Sequence, residues 1–127
     1  MEKIKQHFKN GYILYKREFD ELKNIPQEER CKIYYINKKV YKSQLFIFAG
    51  LYNKNKELYD KGLNDYMEVS TKQLDNPAPF QQTKLNLETL EEFDDDIYDK
   101  EEAVRQLANH IKLEYDEYKK FGKLVFG

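Results

Sequence analysis

The stretch that decides the fold covers residues 31–52 and reads CKIYYINKKVYKSQLFIFAGLY. Residues 32–36 and 40–49 are rich in Ile, Val, Tyr and Phe, which favour β-strands. Between them, Asn37-Lys38 suits a two-residue turn, because Asn tolerates a positive φ. The sequence therefore predicts a β-hairpin, which we call the predicted basic hairpin because it contains four lysines.

The second half of this stretch holds the longest apolar block of the chain, residues 45–49. Its apolar residues do not alternate with polar ones, so we expect both faces to be covered, as in a central strand or a small barrel. Gly50 then predicts a bulge or a sharp bend. The register of the hairpin puts Tyr34 opposite Tyr41, a pair that stabilises a sheet.

Before the hairpin, apolar residues recur at steps of three and four from Ile4 to Ile25, which is typical of an amphipathic helix. Gly11 allows two interpretations: one long helix that tolerates it, or a short first helix that it caps. We favour a helix over residues 12–23, ended by the proline at position 26. Residues 26–29 then fit a single helical turn.

After the hairpin, the elements are less regular until the last helix. The interpretations, in chain order, are a loop or short helix (53–65), a strand (66–70), a proline-containing loop (75–79) and a strand (80–87). Asp99 and Glu102 form a pattern like a capping box before an amphipathic helix with Ile111 and Tyr118 in its apolar stripe. Gly122 is expected to stop that helix, with residues 124–126 as a short strand.

This order of elements predicts an α+β fold with a mainly antiparallel sheet or small barrel, an N-terminal helix and a C-terminal amphipathic helix. The chain has 127 residues, which suits a single domain over residues 1–127. No apolar run approaches the roughly 20 residues of a membrane span, and no secretory signal pattern opens the chain. Cys31 cannot form an internal disulfide and is expected to be a small packed residue. We therefore expect a cytoplasmic protein without membrane contact.

Charge is distributed unevenly along the chain, although the net charge is only −1. Residues 88–102 contain nine acids and one base, whereas residues 1–56 contain 13 bases and 6 acids. The bases are 19 Lys and 3 Arg, which we attribute to the codon bias of a low-G+C genome. Lysine is a mobile point charge, so a basic patch of this kind suits phosphate better than bidentate recognition of bases.

The basic half contains the first candidate site, in which lysines interleave with tyrosines. Nucleic-acid-binding sheets use such pairs, since aromatic rings stack on bases and cations hold phosphates. The simpler interpretation is an ordinary hairpin whose lysines protect a sheet edge from aggregation. The candidate RNA-binding residues are Lys32, Tyr34, Tyr35, Lys38, Lys39, Tyr41 and Lys42.

The acidic segment contains the second candidate site, for a basic protein partner or as a mimic of a phosphate backbone. The simpler interpretation is a solvated connection that brings acids to a helix N-terminus. A divalent cation site is disfavoured, because the three consecutive aspartates lack the alternating spacing and central Gly of a calcium loop. The candidate partner-binding residues are Glu91, Glu92, Asp94, Asp95 and Asp96.

Enzymatic chemistry has little support in the sequence. The two histidines, His7 and His110, lie in no recognisable motif, and we expect His110 to be partly exposed. Nucleophile elbows, phosphate-binding glycine loops and zinc spacings are not found. The sequence therefore predicts a non-enzymatic protein without catalytic residues, metal or cofactor.

In its size, its lysine- and tyrosine-rich composition and its order of elements, the chain resembles the PrgU-type regulators of enterococcal conjugative plasmids. The resemblance implies a PUA-like barrel, a fold that often binds RNA, and it implies no particular functional residue. Two hypotheses follow. The first is a small regulatory protein that binds RNA through the predicted basic hairpin. The second is an interaction module or inhibitor of a plasmid or phage, acting through residues 88–102.

Overall fold

In the computed structural model, which describes residues 2–75, 80–85, 88–97 and 100–127, four long helices make up most of the chain. Two short antiparallel strands lie between the third and fourth helices. The elements are α1 (Glu2–Glu21), α2 (Lys32–Asn53), α3 (Lys56–Ser70), β1 (Phe80–Leu85), β2 (Glu92–Ile97) and α4 (Lys100–Phe126). Single 3₁₀ turns cover Leu22–Asn24, Gln27–Glu29 and Thr71–Asp75.

The first three helices alternate in direction. In the α1–α2 pair, Lys5 lies by Tyr52 and Lys38 lies by Phe19, so the two helices run antiparallel. Only Lys54 and Asn55 separate α2 from α3, and short connections make neighbouring helices antiparallel. Lys54 ends α2 in the left-handed conformation, with φ 55°.

The fourth helix completes an up-down-up-down bundle. The ring of Phe121 contacts that of Phe8 at 5.2 Å, and the ring of Tyr118 contacts that of Tyr66 at 5.3 Å. The α4 helix therefore packs against both α1 and α3. The buried core takes residues from all four helices, including Phe8, Ile47, Leu51, Tyr66, Ile111 and Tyr118.

The predicted fold class is wrong, because the predicted basic hairpin is the helix α2. Its buried apolar residues Ile36, Val40, Ile47 and Leu51 follow one another at steps of four, seven and four, which is one face of a helix. A β-branched residue costs at most about 0.7 kcal/mol of helix propensity. Burying one such side chain contributes about 1.5–3 kcal/mol. Burial in the bundle therefore outweighs the strand preference of these residues.

The other features of the predicted hairpin are corrected with it. Residues 45–49 form no central strand, because they are part of α2. This part of the helix is buried on most sides, with Ile47 fully buried and Phe48 5% exposed. The Asn37-Lys38 turn and the pairing of Tyr34 with Tyr41 do not exist, because both lie within α2. The mainly antiparallel sheet and the PUA-like barrel are wrong as well, since the described strands form one two-stranded sheet.

Gly50 and Gly62 mark the place where α2 and α3 come closest. A Cβ atom on Gly50 would lie 2.5 Å from the backbone N of Tyr59. One on Gly62 would lie 2.7 Å from the backbone N of Ile47 and 2.8 Å from the backbone O of Ser43. Gly50 is therefore a contact point between two helices, where the sequence predicted a bulge.

The first helix is longer than predicted and runs through Gly11 without a break. The ring of Phe48 occupies the space beside Gly11, where a Cβ atom would lie 2.6 Å from Phe48 Cε1. The single helical turn predicted over residues 26–29 is confirmed by the 3₁₀ turn at Gln27–Glu29. Cys31 precedes α2 and is exposed, so its prediction as a packed residue is wrong.

The later elements are partly confirmed. The strand predicted over residues 80–87 corresponds to β1, and residues 86–87 lie outside the described range. Residues 66–70 form the end of α3, and α4 continues through Gly122 to Phe126, so the strands predicted at 66–70 and 124–126 are wrong. Most of the loop predicted over residues 75–79, and Asp99 of the predicted capping pair, lie outside the described residues.

Among the helices of the described ranges, none is long and apolar enough to cross a membrane.

Candidate functional site

The outer face of α2 carries five of the seven residues predicted to bind RNA. At 100° per residue, positions 32, 35, 38, 39 and 42 fall within one third of the helix circumference. All five are exposed, and Tyr35, near the middle of the group, has 52% of its surface exposed. The helix therefore brings together Lys32, Tyr35, Lys38, Lys39 and Lys42.

The other two predicted residues point away from this face. Tyr34 is 5% exposed, and the guanidinium of Arg30 lies 4.8 Å from its ring centre. Tyr41 is half-buried and turns toward α1, where its ring lies 6.3 Å from that of Tyr15. Burial, followed by the nearby Glu18 carboxylate, raises the pKa of Tyr41. These two tyrosines belong to the packing of α2.

The first helix adds lysines that the sequence prediction missed. Lys5, Lys9 and Lys16 lie at steps of four and seven on α1, on the side next to α2, and all three are exposed. The spacing was visible in the sequence, but a short helix beginning at residue 12 excluded two of the three. We call the surface formed by these residues and the lysines of α2 the α1–α2 basic face (Lys5, Lys9, Lys16, Lys32, Lys38, Lys39 and Lys42).

Aromatic rings lie among the lysines of this face. The Phe19 ring lies between two of them, with the Nζ of Lys16 at 5.5 Å and that of Lys38 at 6.0 Å from the ring centre. The Nζ of Lys5 lies 4.8 Å from the ring centre of Tyr52. Cation–π contacts of this kind contribute about 0.5–1 kcal/mol each at exposed sites. They hold the ammonium groups near the seam between α1 and α2.

Few carboxylates neutralise the α1–α2 basic face. Lys16 pairs with Asp20 at 3.0 Å, one turn along α1. Within the described residues, the six other lysines of the face form no ion pair. An exposed lysine without a carboxylate partner is free to contact an external phosphate.

Part of the acidic segment is a strand, where the sequence predicted a solvated connection. Glu91 is exposed, and the next residues, Glu92–Ile97, form β2. In the register with β1, Asp94 lies opposite Thr83, Asp95 opposite Gln82 and Asp96 opposite Gln81. The residues across from the three aspartates are therefore uncharged.

A second polar site, inside the bundle, was not predicted. The Glu114 carboxylate accepts hydrogen bonds from Tyr66 Oη at 2.7 Å, Tyr15 Oη at 3.3 Å and Gln44 Nε2 at 3.3 Å. His110 Nε2, one turn earlier on α4, lies 3.3 Å from Glu114 Oε1. The three hydrogen-bond donors occupy three of the roughly four acceptor positions that a carboxylate offers. We call this group the Glu114 cluster and assign it to the packing of the bundle.

The Glu114 cluster is continuous with Tyr118, which is 3% exposed and accepts a hydrogen bond from Gln44 Nε2 at 2.8 Å. Burial first, and hydrogen bonding to Glu114 second, raise the pKa of Tyr66 well above its ordinary value. Burial is also the main cause of the raised pKa of Tyr118. Both hydroxyls therefore stay protonated while the bundle is folded.

We expect this cluster to make the protein sensitive to alkali. An unfolded tyrosine has a pKa of about 10, whereas the buried tyrosines have raised values in the folded state. The stability that they contribute is complete below about pH 10 and is lost as the pH rises further, because only the unfolded chain can ionise them. Tyrosinate absorbance should rise in two phases, with the second coinciding with the loss of helical circular dichroism. A single phase with the helices intact would contradict this prediction.

The histidines of the described residues lie apart from any metal-binding cluster. In the described part of the chain, no group of three His, Cys, Asp or Glu side chains is arranged to hold a metal ion. His7 packs against the ring of Phe121 at 5.3 Å. His110 is largely exposed, with 64% of its side chain accessible, as the sequence predicted.

No family model, no curated protein and no solved structure matches this chain. The resemblance to PrgU-type regulators therefore stays a prediction, whereas the barrel that it implied is wrong.

Proposed function

We propose that this protein is a small non-enzymatic regulator in the cytosol that binds RNA through the α1–α2 basic face. The observation that carries the proposal is the set of exposed lysines that have no ion-pair partner among the described residues. Contacts between lysines and phosphates release counterions, which drives binding to a nucleic acid. The single cysteine agrees with a cytosolic location, since internal disulfides are excluded.

The basic side chains of this face suit contacts with phosphates better than recognition of a nucleotide sequence. All seven of its charged residues are lysines, which act as point charges and lack the rigid fork of arginine. Tyr35, exposed among them, offers a ring on which a base can stack. We therefore expect binding with weak sequence preference and a strong dependence on salt.

Charge reversal at Lys38 and Lys39 tests the proposal. The double variant K38E/K39E should bind a single-stranded RNA of mixed sequence about tenfold more weakly or worse, because two phosphate contacts become repulsive. Each contact contributes about 0.7 to the slope of log affinity against log salt, so the slope should become less steep by about 1.4. Fluorescence anisotropy at several salt concentrations measures both quantities.

The matched control reverses two exposed lysines of α4, Lys112 and Lys120. The variant K112E/K120E has the same net charge as K38E/K39E, so it separates a local contact from the overall charge. It should keep more than half of the wild-type affinity for RNA. Equal affinity of K38E/K39E and the wild type, with both folded by circular dichroism, would refute the proposal.

Capture of a basic protein partner by the acidic strand is the second candidate function. It is favoured by the register of β2, in which Asp94, Asp95 and Asp96 lie opposite uncharged residues of β1. Such a partner would be recovered from the native host equally well before and after nuclease treatment. If K38E/K39E binds RNA like the wild type, capture of a basic protein partner becomes the preferred function.

A further inference from the structure

A pocket with aromatic walls lies at one end of the α1–α2 basic face. It has a volume of about 310 Å³. Its lining comes from α1 and α2 alone, and we call it the tyrosine pocket (Lys9, Tyr12, Phe48, Ala49, Tyr52 and Asn53).

A second pocket, of about 390 Å³, lies beside the Glu114 cluster. That other pocket is lined by the carboxylates of Glu18 and Glu114, so it does not suit an anion. Of these two pockets, which differ in charge, the tyrosine pocket is the one that opens beside the lysines of the α1–α2 basic face.

The walls of the tyrosine pocket suit a flat, uncharged ring with a negative group attached. Tyr12 is 37% exposed and Tyr52 is half-buried, so both offer aromatic surface. The Asn53 side chain is exposed and carries both a donor and an acceptor for the edge of a base. Lys9 lines the pocket, Lys5 lies over the Tyr52 ring, and the lining contains no carboxylate.

The pocket continues the line of lysines along α2. Lys38, Lys42, Ala49 and Asn53 follow one another at steps of four, seven and four, which keeps them on one side of the helix. At 1.5 Å per residue, Asn53 lies about 16 Å along the axis from Lys42. A single strand that lies on the lysines can therefore reach the pocket without leaving the surface.

We propose that the tyrosine pocket binds one unstacked base of a single-stranded RNA whose phosphates lie along the α1–α2 basic face. The inference rests on the proposed function and adds the form of the ligand to it. A base in a duplex has both faces covered by its neighbours, whereas a base in a single strand can stack on a tyrosine ring. The pocket thus selects single strands over duplexes.

The test removes the rings and keeps the lysines. In the variants Tyr12→Leu and Tyr52→Leu, the affinity for single-stranded RNA should fall about tenfold each, because base–aromatic stacking is lost. Their affinity for inorganic polyphosphate, which has no bases, should stay within twofold of the wild type. The matched controls Tyr12→Phe and Tyr52→Phe keep the rings and should bind RNA like the wild type.

The two ligands separate this inference from the proposed function. K38E/K39E should lose affinity for both RNA and polyphosphate. If it does so while the leucine variants bind RNA like the wild type, the pocket inference is overturned and the proposed function stands. Equal losses of RNA and polyphosphate in the leucine variants would also overturn the inference. If Tyr52→Leu does not fold, Tyr12→Leu is sufficient for the test, because Tyr12 is exposed.

Discussion

Replacing Glu114 with alanine should lower the free energy of unfolding by about 3 kcal/mol. The change leaves Tyr66 Oη, Tyr15 Oη and Gln44 Nε2 without the carboxylate to which they donate. A buried donor without a partner costs about 1–3 kcal/mol. Glu114 keeps 21% of its side chain exposed, so water can replace part of the loss. Urea unfolding followed by circular dichroism measures the difference.

A control and a double variant make this prediction specific. Glu117→Ala, at an exposed position of the same helix, should change the free energy of unfolding by no more than about 0.5 kcal/mol. Tyr66→Phe alone should cost about 1.5 kcal/mol, since it removes a hydrogen bond to a charged group. Combined with Glu114→Ala it should cost less than the sum, because both changes remove the same contact. An unchanged stability of Glu114→Ala would contradict the role of the cluster.

Replacing Gly62 with alanine should destabilise the protein by about 2 kcal/mol, because the added methyl group meets the backbone of α2. Helix propensity alone predicts the opposite sign, since alanine is better than glycine by about 1 kcal/mol in a helix. The backbone atoms of Ser43 and Ile47 cannot move aside as a flexible side chain can. The sign of the change is therefore a direct test of the close approach between α2 and α3.

Asn64→Ala is the matched control for Gly62→Ala. Asn64 is exposed on the same helix, and alanine has a higher helix propensity than asparagine. The change should therefore stabilise the protein by roughly a few tenths of a kcal/mol. Thermal unfolding of the two variants measures the contrast. If Gly62→Ala were as stable as Asn64→Ala, the two helices could not pack as closely as described.

The fold could be predicted from the sequence only where the pattern was periodic over a long stretch. The apolar steps of three and four identified α4 and the second half of α1. In residues 32–53, Ile, Val, Tyr and Phe are so frequent that their strand preference masked the helical spacing of Ile36, Val40, Ile47 and Leu51. The choice between strand and helix depends on how these residues are buried in the tertiary structure, and a local sequence pattern does not show that burial.

The sequence grouped residues that the structure also places on one face, although the element that holds them is a helix and not a hairpin. Lys32, Tyr35, Lys38, Lys39 and Lys42 are exposed together, because their spacing also fits one face of a helix. The Glu114 cluster was missed, although Glu114 follows Ile111 and precedes Tyr118 at helical steps of the apolar stripe. The sequence indicated the cluster only by a charged residue within the apolar stripe of a predicted helix. Its partners on α1, α2 and α3 could not be identified without the fold.

The most direct test of the proposed function is a map of the residues that respond to RNA. Backbone amide signals of labelled protein, followed by nuclear magnetic resonance during titration with single-stranded RNA, give this map. The account predicts that the shifts concentrate on the α1–α2 basic face, around Lys9, Lys38 and Lys42, and leave the exposed Leu113 and Leu124 of α4 unchanged. Shifts concentrated on α4, or no shifts at RNA concentrations that saturate other binding proteins, would contradict it.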